Sequence, residues 1–391
     1  MGRFRDALAQ PGLAGIAEIK RRSPSAGDLR PDAEPATLAS KFQQAGAAAV
    51  SILVDERFGG STEDLRAARA AGQIPLLAKG FFTTRAQLEE MQSAGADAVL
   101  LLLRDLDDRA TADLLGAARS LGLDALVEAH DADELERAVV LEADVIGVNA
   151  RDLSSFAIDR TAQLELVARL RQTRLGLKAR DMVVVAESGI ENRAQGAAAE
   201  LAGADAILVG SALMRAPDPA AKLGELLARP LVKVCGLTRE EDVAAAEGAG
   251  ADLAGFVLAE SPRRAAAPLP VPDTMLSVGV FVGEYEEAGT DLVQLYAEEN
   301  GHRAREGVLL REGAEVARVL DLPWLKQDEH HWQRASGVEG RVLLAGGLGP
   351  ENVRAAIDMV RPWCVDASRS LESSPGVKDH ARVRAYIEAV R

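Results

Sequence analysis

The sequence is poor in aromatic residues and has no excess of positive charge. Phe, Trp and Tyr together make up 4% of the 391 residues, and the formal net charge at pH 7 is −15. Single-stranded nucleic acid is usually held by aromatic side chains in a basic groove, and anionic lipid by clustered lysines and arginines. We therefore expect neither nucleic acid nor a membrane surface as a partner.

Cysteine is scarce, and long apolar runs are missing. Cys235 and Cys364 lie far apart in the chain and predict no disulfide framework, so a reducing compartment is expected. The first residues, MGRFRDALAQPG, lack the apolar core of a signal peptide, and no apolar run has the length of a membrane span. These absences predict a cytoplasmic protein.

Motifs for common cofactors are also missing. The chain has no Walker loop, no Gly-x-Gly-x-x-Gly dinucleotide fingerprint and no zinc-type spacing of Cys or His. The sequence therefore predicts chemistry without a metal or a cofactor. A phosphorylated small molecule remains a suitable ligand, because backbone N–H groups and a few cations can hold phosphate locally. No feature sets the oligomeric state, and a monomer is compatible with the sequence.

What the sequence does contain is a regular alternation of short apolar runs and amphipathic, Ala-rich stretches. Eight apolar runs in the first half predict buried parallel strands at 15–20, 48–54, 74–79, 96–102, 124–129, 144–149, 183–187 and 205–210. Eight strand–helix units in about 230 residues are typical of a (β/α)8, or TIM, barrel. A doubly wound open sheet is the alternative.

The alternation continues in the second half without a flexible linker. Its apolar runs lie at 231–236, 252–258, 276–281, 291–296, 307–312, 317–322, 341–347 and 363–368. Residues 282–340 leave too little chain for full crossover helices, each of which needs about a dozen residues. We therefore predict an α/β chain of two tandem (β/α)8 TIM barrels, at 1–229 and 230–391. The second is shortened, and an incomplete ring of strands is one outcome that its length allows.

Polar and charged side chains cluster at the C-terminal ends of the strands in the first half. They are Glu18, Lys20, Lys79, Glu128, Asn149, Arg151 and Glu187. TIM-barrel active sites lie at these strand ends, and alternation puts Glu18 and Lys20 on one face. Lysines and carboxylates that converge there supply proton donors and acceptors of tuned pKa. The structural alternative is a ring of salt bridges that closes the barrel mouth.

Small turns accompany these charges. SPSAG (23–27), ESG (187–189) and VGSA (209–212) offer backbone N–H groups suited to phosphate, although each alone could be an ordinary helix cap. Residues 343–372 repeat the layout of residues 185–214. Because the loops after strands 7 and 8 form a phosphate site in many TIM barrels, the repeat predicts one phosphate site in each half.

The second half carries a candidate acid–base pair. Cys235 ends the strand KVC, and Asp321 ends the strand ARVLD. A thiolate at a barrel mouth can act as a base, and a carboxyl group across the mouth can act as an acid. The alternative is that Cys235 is a buried small side chain, the commoner fate of a lone cysteine. Cys364 is expected in the core.

Taken together, these segments resemble two enzyme families. IAEIKRRSPSAGDL, LLAKGFF, LVEAHD, IGVNARDL, VAESGI and ILVGSALM, in this order over residues 16–214, are similar to the strand motifs of indole-3-glycerol-phosphate synthase. LVKVCGLTREEDV, GFVLAESPRR, VGVFV, VQLY, LLAGGLGPENV and VDASRSLESSPGVKD resemble phosphoribosylanthranilate isomerase. The whole chain thus resembles the fused enzymes of tryptophan biosynthesis, which implies small phosphorylated, anthranilate-derived substrates.

The resemblance to the synthase implies roles for the first cluster. Lys79 matches the general acid at the substrate ketone, and Glu128 matches its partner acid or base. Glu18 and Lys20 would assist the dehydration. The implied substrate-positioning residues are Asn149, Arg151 and Glu187, and the implied phosphate contacts are Ser23, Ser188, Gly189, Gly210 and Ser211. One departure is Gly80, where the family usually has Asp.

The resemblance to the isomerase implies an Amadori rearrangement with Cys235 as the base and Asp321 as the acid. Arg263 matches the contact of the anthranilate carboxylate. The implied phosphate contacts are Gly346, Gly347 and Ser368. This half departs from the family at QLYA (294–297), in place of Gln-Leu-His-Gly, at LPWLKQDEHHW (322–332), in place of a Gly-rich segment, and at Arg369, in place of a small residue.

Three functions follow as hypotheses. The first is a bifunctional enzyme, the second a synthase with a degenerate isomerase half, and the third a non-catalytic protein that binds a phosphorylated metabolite. The set Glu18, Lys20, Lys79 and Glu128 argues against the third, because binding alone does not need paired acids and bases.

Overall fold

The computed structural model describes residues 2–23, 27–151, 157–172, 182–299, 302–321 and 330–391. Its internal contacts divide the chain into two compact units. The first comprises Met1–Asn192 and Gly196–Leu227, and the second comprises Arg193–Gln195 and Ala228–Arg391. None of the helices in the described ranges is long and apolar enough to cross a membrane.

The first unit contains a closed barrel of eight parallel strands in the described residues. They are β1 (Ala14–Ile19), β2 (Ala49–Leu53), β3 (Leu76–Lys79), β4 (Ala98–Leu102), β5 (Asp124–Ala129), β6 (Val145–Asn149), β7 (Val183–Glu187) and β8 (Ala206–Val209). Consecutive strands pair, and β8 closes the ring on β1. The TIM-barrel prediction is confirmed for this half, and the open-sheet alternative is wrong.

Helices cover the outside of this barrel. They are α2 (Pro35–Gln44), α3 (Thr62–Ala71), α4 (Arg85–Ser93), α5 (Asp108–Ser120), α6 (Ala132–Val140), α7 (Arg160–Gln172), α8 (Arg193–Ala202), the short α9 (Ser211–Arg215) and α10 (Pro219–Leu227), and α1 (Arg3–Leu8) precedes β1. Capping boxes begin α3 at Ser61 and α4 at Thr84. Phe4 and Leu8 of α1 belong to the cluster of buried side chains inside the barrel.

Alternation along each strand determines which side chains enter the barrel. In β1, Ile16 belongs to the interior cluster, whereas Ala17 and Ile19 pack between the strands and the helices. Glu18 lies two residues beyond Ile16 and therefore faces the interior at the mouth. Other strands show the same two-residue spacing, in which an apolar interior residue precedes a charged residue two positions later. The pairs are Leu77 and Lys79, Leu126 and Glu128, and Val185 and Glu187.

The second unit also contains a closed ring of eight strands in the described residues. They are β9 (Leu231–Cys235), β10 (Leu253–Val257), β11 (Leu276–Val282), β12 (Leu292–Glu299), β13 (His302–Arg311), β14 (Ala314–Asp321), β15 (Val342–Ala345) and β16 (Cys364–Ala367). The expectation of an incomplete ring is therefore wrong. The expectation that all eight strands are parallel is also wrong for one strand, because β13 pairs antiparallel with both β12 and β14.

The reversed strand explains how a shortened sequence closes a barrel. A hairpin needs only a few residues, whereas a parallel crossover needs about a dozen. Glu312 and Gly313 join β13 to β14, both with positive φ, at 50° and 79°. Two hairpins thus replace two crossover helices. The α-helices in the described part of this unit are α11 (Glu240–Ala249), α12 (His330–Ala335), α13 (Val353–Val360) and α14 (His380–Val390).

Candidate active sites at the two barrel mouths

Lys79 stands among three carboxylates in the first barrel mouth. Its Nζ lies 2.6 Å from Oε2 of Glu187, 3.5 Å from Oε2 of Glu18 and 3.7 Å from Oε2 of Glu128. Burial alone would lower the pKa of Lys79, but the negative charges of the three carboxylates outweigh it and raise that pKa above its usual value. Lys79 is therefore a buried ammonium group that stays charged at neutral pH.

Lys20 and Glu18 form a second ion pair in this mouth, with 2.6 Å between Nζ and Oε1. Burial would raise the pKa of Glu18, but the charges of Lys20 and Lys79 together lower it. Gly210 lies against this pair, since a Cβ added there would come within 2.3 Å of Oε1 of Glu18 and 2.9 Å of Nζ of Lys20. The turn after β8 can therefore approach the pair only because residue 210 is glycine.

Glu128 is a strongly stabilised carboxylate. Burial would raise its pKa, but Lys79, His130 and Asn149 lower it to about 2. Asn149 donates a hydrogen bond from Nδ2 to Oε1 of Glu128 at 3.0 Å, and Nε2 of His130 lies 3.2 Å from the same oxygen. Burial would lower the pKa of His130, but Glu128 and Glu134 raise it to about 10. Glu128 is thus ionised at neutral pH.

Glu187 differs from the other two carboxylates because burial dominates its environment. Burial, with a smaller repulsion from Glu128, raises its pKa to about 8, although Lys79 acts in the opposite direction. Its Oε1 has no hydrogen-bond partner among the described residues. Gly147 leaves room for this oxygen, because an added Cβ would lie 2.0 Å from it. Burial thus makes Glu187 the most easily protonated of the three carboxylates, although its 2.6 Å contact with the Lys79 ammonium group favours the ionised form.

The first mouth encloses a cavity of about 300 Å³. Its apolar lining includes Phe58, Phe81, Leu102 and Ile158, which suits an aromatic ring. Cζ of Arg57 lies 3.9 Å from the centroid of the Phe81 ring. The cavity also has a polar lining: Glu18, Lys20, Lys79, Glu128, Asn149, Arg151, Ser188, Gly189, Gly210 and Ser211. One cavity therefore combines an apolar wall, charged groups and small turns.

Two residues assigned to this site lie outside the described lining of the cavity. Glu187 is completely buried and reaches the site through Lys79. Ser23 lies in the short hairpin Arg22–Ser23 and Gly27–Asp28, and residues 24–26 of the predicted turn are outside the described residues.

The second mouth brings Cys235 and Asp321 to one cavity of about 380 Å³. Burial raises the pKa of Cys235, and the charge of Lys233 opposes this effect. Arg303, on the reversed strand β13, pairs with Asp321 and lies over the ring of Tyr296, with 4.2 Å from Cζ to the ring centroid. The reversal of β13 therefore adds a guanidinium group to the mouth.

Lys233 holds a buried polar network under this cavity. Its Nζ lies 2.8 Å from Oδ2 of Asp366 and donates to Oε1 of Gln294 at 2.9 Å. Gln294 donates in turn to the hydroxyl of Tyr296 at 2.6 Å. Burial would lower the pKa of Lys233, but Asp366 and other groups raise it above its usual value. The lysine therefore brings a fixed positive charge to the base of the site.

Arg263 lines the second cavity and pairs with Glu372, with 2.8 Å between Nη2 and Oε2. Nζ of Lys378 lies 3.0 Å from Oε1 of the same carboxylate. The residues predicted to contact phosphate in this half, Gly346, Gly347 and Ser368, also line the cavity, together with Arg369. Every site residue predicted in the second half therefore borders one space, although the role of each remains a prediction.

Several polar residues of these mouths were not predicted from the sequence. Lys233 and Asp366 are charges within apolar strands, a signal that could have identified them. Arg303 depends on the unexpected direction of β13. His130 follows β5 at the start of a loop and carried no signal. Within the described residues, no group of three or more His, Cys, Asp or Glu side chains could hold a metal ion.

Comparisons with known proteins find a different family in each half of the chain. The family described as "Indole-3-glycerol phosphate synthase" matches residues 2–226, and the family described as "N-(5'phosphoribosyl)anthranilate (PRA) isomerase" matches residues 324–389. A Streptomyces coelicolor protein named "Indole-3-glycerol phosphate synthase 2" is 49% identical over 217 residues, which cover 55% of this chain and 81% of the relative.

Two relatives extend over nearly the whole chain. "Tryptophan biosynthesis protein TrpCF" of Yersinia pestis is 34% identical, and the match covers 99% of this chain and 87% of the relative. "Multifunctional tryptophan biosynthesis protein" of Schizosaccharomyces pombe is 31% identical, and the match covers 99% of this chain and 61% of the relative. The two halves of this chain thus occur together in known proteins.

Proposed function

The chain belongs to the family of fused indole-3-glycerol phosphate synthases and phosphoribosylanthranilate isomerases, and from that premise we propose one reaction of tryptophan biosynthesis for each barrel mouth. The second mouth isomerises N-(5-phosphoribosyl)anthranilate to 1-(2-carboxyphenylamino)-1-deoxyribulose 5-phosphate. The first mouth closes the indole ring of that product, with loss of CO2 and water, to give indole-3-glycerol phosphate. Because the substrates are small phosphorylated metabolites, we assign the enzyme to the cytoplasm.

The assignment of the first mouth rests on the opposite charges around one cavity. The ammonium group of Lys79 donates a proton to the substrate ketone as the aryl carbon attacks it. Within 4 Å of that ammonium group lie oxygens of Glu18, Glu128 and Glu187, which keep it charged before the reaction. A site that only bound the phosphorylated substrate would have no use for this arrangement of proton donors and acceptors.

Glu128 acts as the base of the same reaction. Its low pKa keeps it ionised. As a carboxylate whose Oε2 has no hydrogen-bond partner among the described residues, it accepts the proton that the substrate releases as the indole ring forms. Lys20 and Glu18, as an ion pair at 2.6 Å, supply the proton that leaves with the hydroxyl group in the dehydration. Asn149 and Arg151 orient the substrate, and the backbone N–H of Arg151 fixes Asn149 by donating to its Oδ1 at 3.0 Å.

The apolar wall and the small turns bind different parts of the substrate. The wall with Phe58 and Phe81 receives the aromatic ring. Ser188 and Gly189 after β7, and Gly210 and Ser211 after β8, receive the phosphate group. These loops hold phosphate in many TIM barrels, which supports the same role here.

The second mouth needs a base and an acid for the Amadori rearrangement. Cys235 removes the proton from C2 of the ribose, and Asp321 protonates the ring oxygen so that the furanose opens. The nearby charge of Lys233 favours the thiolate form of Cys235, which burial disfavours. Arg263 contacts the anthranilate carboxylate, while the phosphate lies at Gly346, Gly347 and Ser368.

Reciprocal variants test the proposal. Purified full-length protein is supplied with each substrate separately, and indole formation and the loss of phosphoribosylanthranilate fluorescence are followed. Lys79→Met should lose at least about 100-fold in synthase kcat and keep the isomerase rate. Cys235→Ser should show the opposite pattern. If each variant lost both activities or neither, the assignment of one reaction to each mouth would be wrong.

A further inference from the structure

His130 lies between two carboxylates at the edge of the first mouth. Its Nε2 is 3.2 Å from Oε1 of Glu128, and its Nδ1 is 3.1 Å from Oε2 of Glu134. The backbone N–H of His130 also donates to Oε2 of Glu134, at 2.8 Å. The side chain of His130 is only 15% exposed, so solvent screens these contacts weakly.

The start of α6 holds this arrangement in place. Asp131 caps the helix by accepting a hydrogen bond from the backbone N–H of Glu134 at 2.8 Å. Glu134 thus lies in the first turn, where the helix dipole favours a negative charge. Its carboxylate can therefore face His130 from a fixed position. The sequence His-Asp-x-x-Glu builds an anionic partner for the imidazole directly from the helix end.

The two carboxylates dictate the protonation state of the ring. A neutral imidazole has one N–H donor and one acceptor nitrogen, so one of its nitrogens would face a carboxylate without a proton between them. When both nitrogens carry protons, both contacts are favourable and the ring is positively charged. The raised pKa of His130, about 10, has this cause. His130 is therefore an imidazolium ion at neutral pH.

This cation determines which oxygen of Glu128 is available for chemistry. Oε1 accepts a hydrogen bond from Nδ2 of Asn149, and Nε2 of His130 lies 3.2 Å from the same oxygen as an ion-pair contact without hydrogen-bond geometry. Oε2 has no hydrogen-bond partner among the described residues and lies 3.7 Å from Nζ of Lys79. The carboxylate is thereby anchored through one oxygen and presents the other towards the lysine.

We propose that His130 is a positioning residue for the synthase reaction, which keeps Glu128 ionised and directs its Oε2 towards Lys79 and the substrate. The role rests on the proposed synthase function of the first mouth and assigns no contact between His130 and the substrate. Its effect on the reaction passes through Glu128 alone.

Other charged groups also act on this pair. Glu128 faces Lys79 on β3 and is repelled by Glu187 on β7, and Glu134 is stabilised by Arg137 of its own helix. Lys79 remains when His130 is replaced, so Glu128 keeps part of its stabilisation. Burial, the largest influence on Glu128, then raises its pKa with less opposition. The activity of a variant without the imidazolium should therefore begin to fail at a higher pH.

The test is the pH profile of synthase kcat for the full-length protein and for His130→Gln, whose amide can donate to Glu128 but carries no charge. We expect the acid limb to move up by at least about one pH unit, with KM changed less than about threefold. His380→Gln is the matched control, because His380 also pairs with a carboxylate, Asp242, but in the second unit. Its profile should equal that of the wild type.

The outcomes separate this role from others. A uniform loss of kcat at every pH, or an unchanged profile, would overturn the proposal while leaving the wild-type synthase activity intact. An inactive wild type would instead contradict the proposed function itself. If His130→Gln does not fold, 15N NMR titration of the wild-type imidazoles decides. We expect one ring, paired with a carboxylate on each side, to stay charged above pH 9, and titration of His130 near 6.5 would overturn the proposal.

Discussion

Replacement of Lys79 by methionine should destabilise the first barrel, and the loss should depend on pH. Nζ of Lys79 lies 2.6, 3.5 and 3.7 Å from oxygens of Glu187, Glu18 and Glu128. At an effective dielectric constant of about 20, each contact is an attraction of roughly 4–6 kcal/mol. Desolvation offsets most of this attraction, and breaking a buried ion pair costs ~3–5 kcal/mol in unfolding free energy. The melting temperature should fall by roughly 6–20 °C at neutral pH.

The pH dependence comes from the carboxylates that remain. In the wild type, the folded-state pKa of Glu18 and of Glu128 lies below the unfolded value of 4.5, so their stabilising contribution is present above that pH and lost on acidification. Without Lys79, burial acts with less opposition on all three carboxylates, and most on Glu187, whose pKa Lys79 lowers, so the folded state binds protons that the unfolded chain has already released. Stability of the variant should therefore fall as the pH rises from 5 to 8.

Scanning calorimetry of the full-length protein at pH 5 and pH 8 measures this effect. The loss of melting temperature relative to the wild type should be larger at pH 8. Lys222→Met is the matched control, since it removes a lysine from a surface ion pair with Glu225 and should change stability by less than ~1 kcal/mol. An equal loss at both pH values, or no loss, would refute the account of the charge cluster.

Further variants probe other parts of the two sites. Gly147→Ala should lower synthase kcat by roughly 10–100-fold, because the new Cβ would lie 2.0 Å from Oε1 of Glu187 and displace that carboxylate; a rate within twofold of the wild type would contradict this. Asn149→Asp should raise the pKa of Glu128 by like-charge repulsion, so the synthase rate should drop most at low pH, as a pH–rate profile would show. Lys233→Met should leave the buried Asp366 without its ion-pair partner and lower the unfolding free energy by ~3–5 kcal/mol. The isomerase rate should fall, whereas the synthase rate should not change.

The strands and the first site were largely predictable because one periodicity controls both. The two-residue alternation of side chains that buries Leu77 inside the barrel also directs Lys79 inwards at the next interior position. A charged residue at the C-terminal end of an apolar parallel strand therefore marks the mouth. The same reasoning applies to Glu18 and Glu128.

The direction of β13 could not be predicted, because alternation is the same whichever way a strand runs. Short connections at residues 282–340 suggested an incomplete ring, but they also suit hairpins. The local sequence signal for a hairpin turn was Gly313, which has a positive φ in the structure. Arg303 entered the second mouth only through this reversal. His130 was missed for another reason, since its partners Glu128 and Glu134 come together only when the loop before α6 folds.

The most direct test of the central claim, one active site in each barrel, supplies the full-length protein with N-(5-phosphoribosyl)anthranilate alone. The amounts of indole-3-glycerol phosphate and CO2 are then compared with the amount of substrate consumed by the enzyme. We predict that both products form in equal amounts, because the second mouth makes the substrate of the first. Accumulation of the carboxyphenylamino intermediate, or no enzymatic consumption, would contradict the claim.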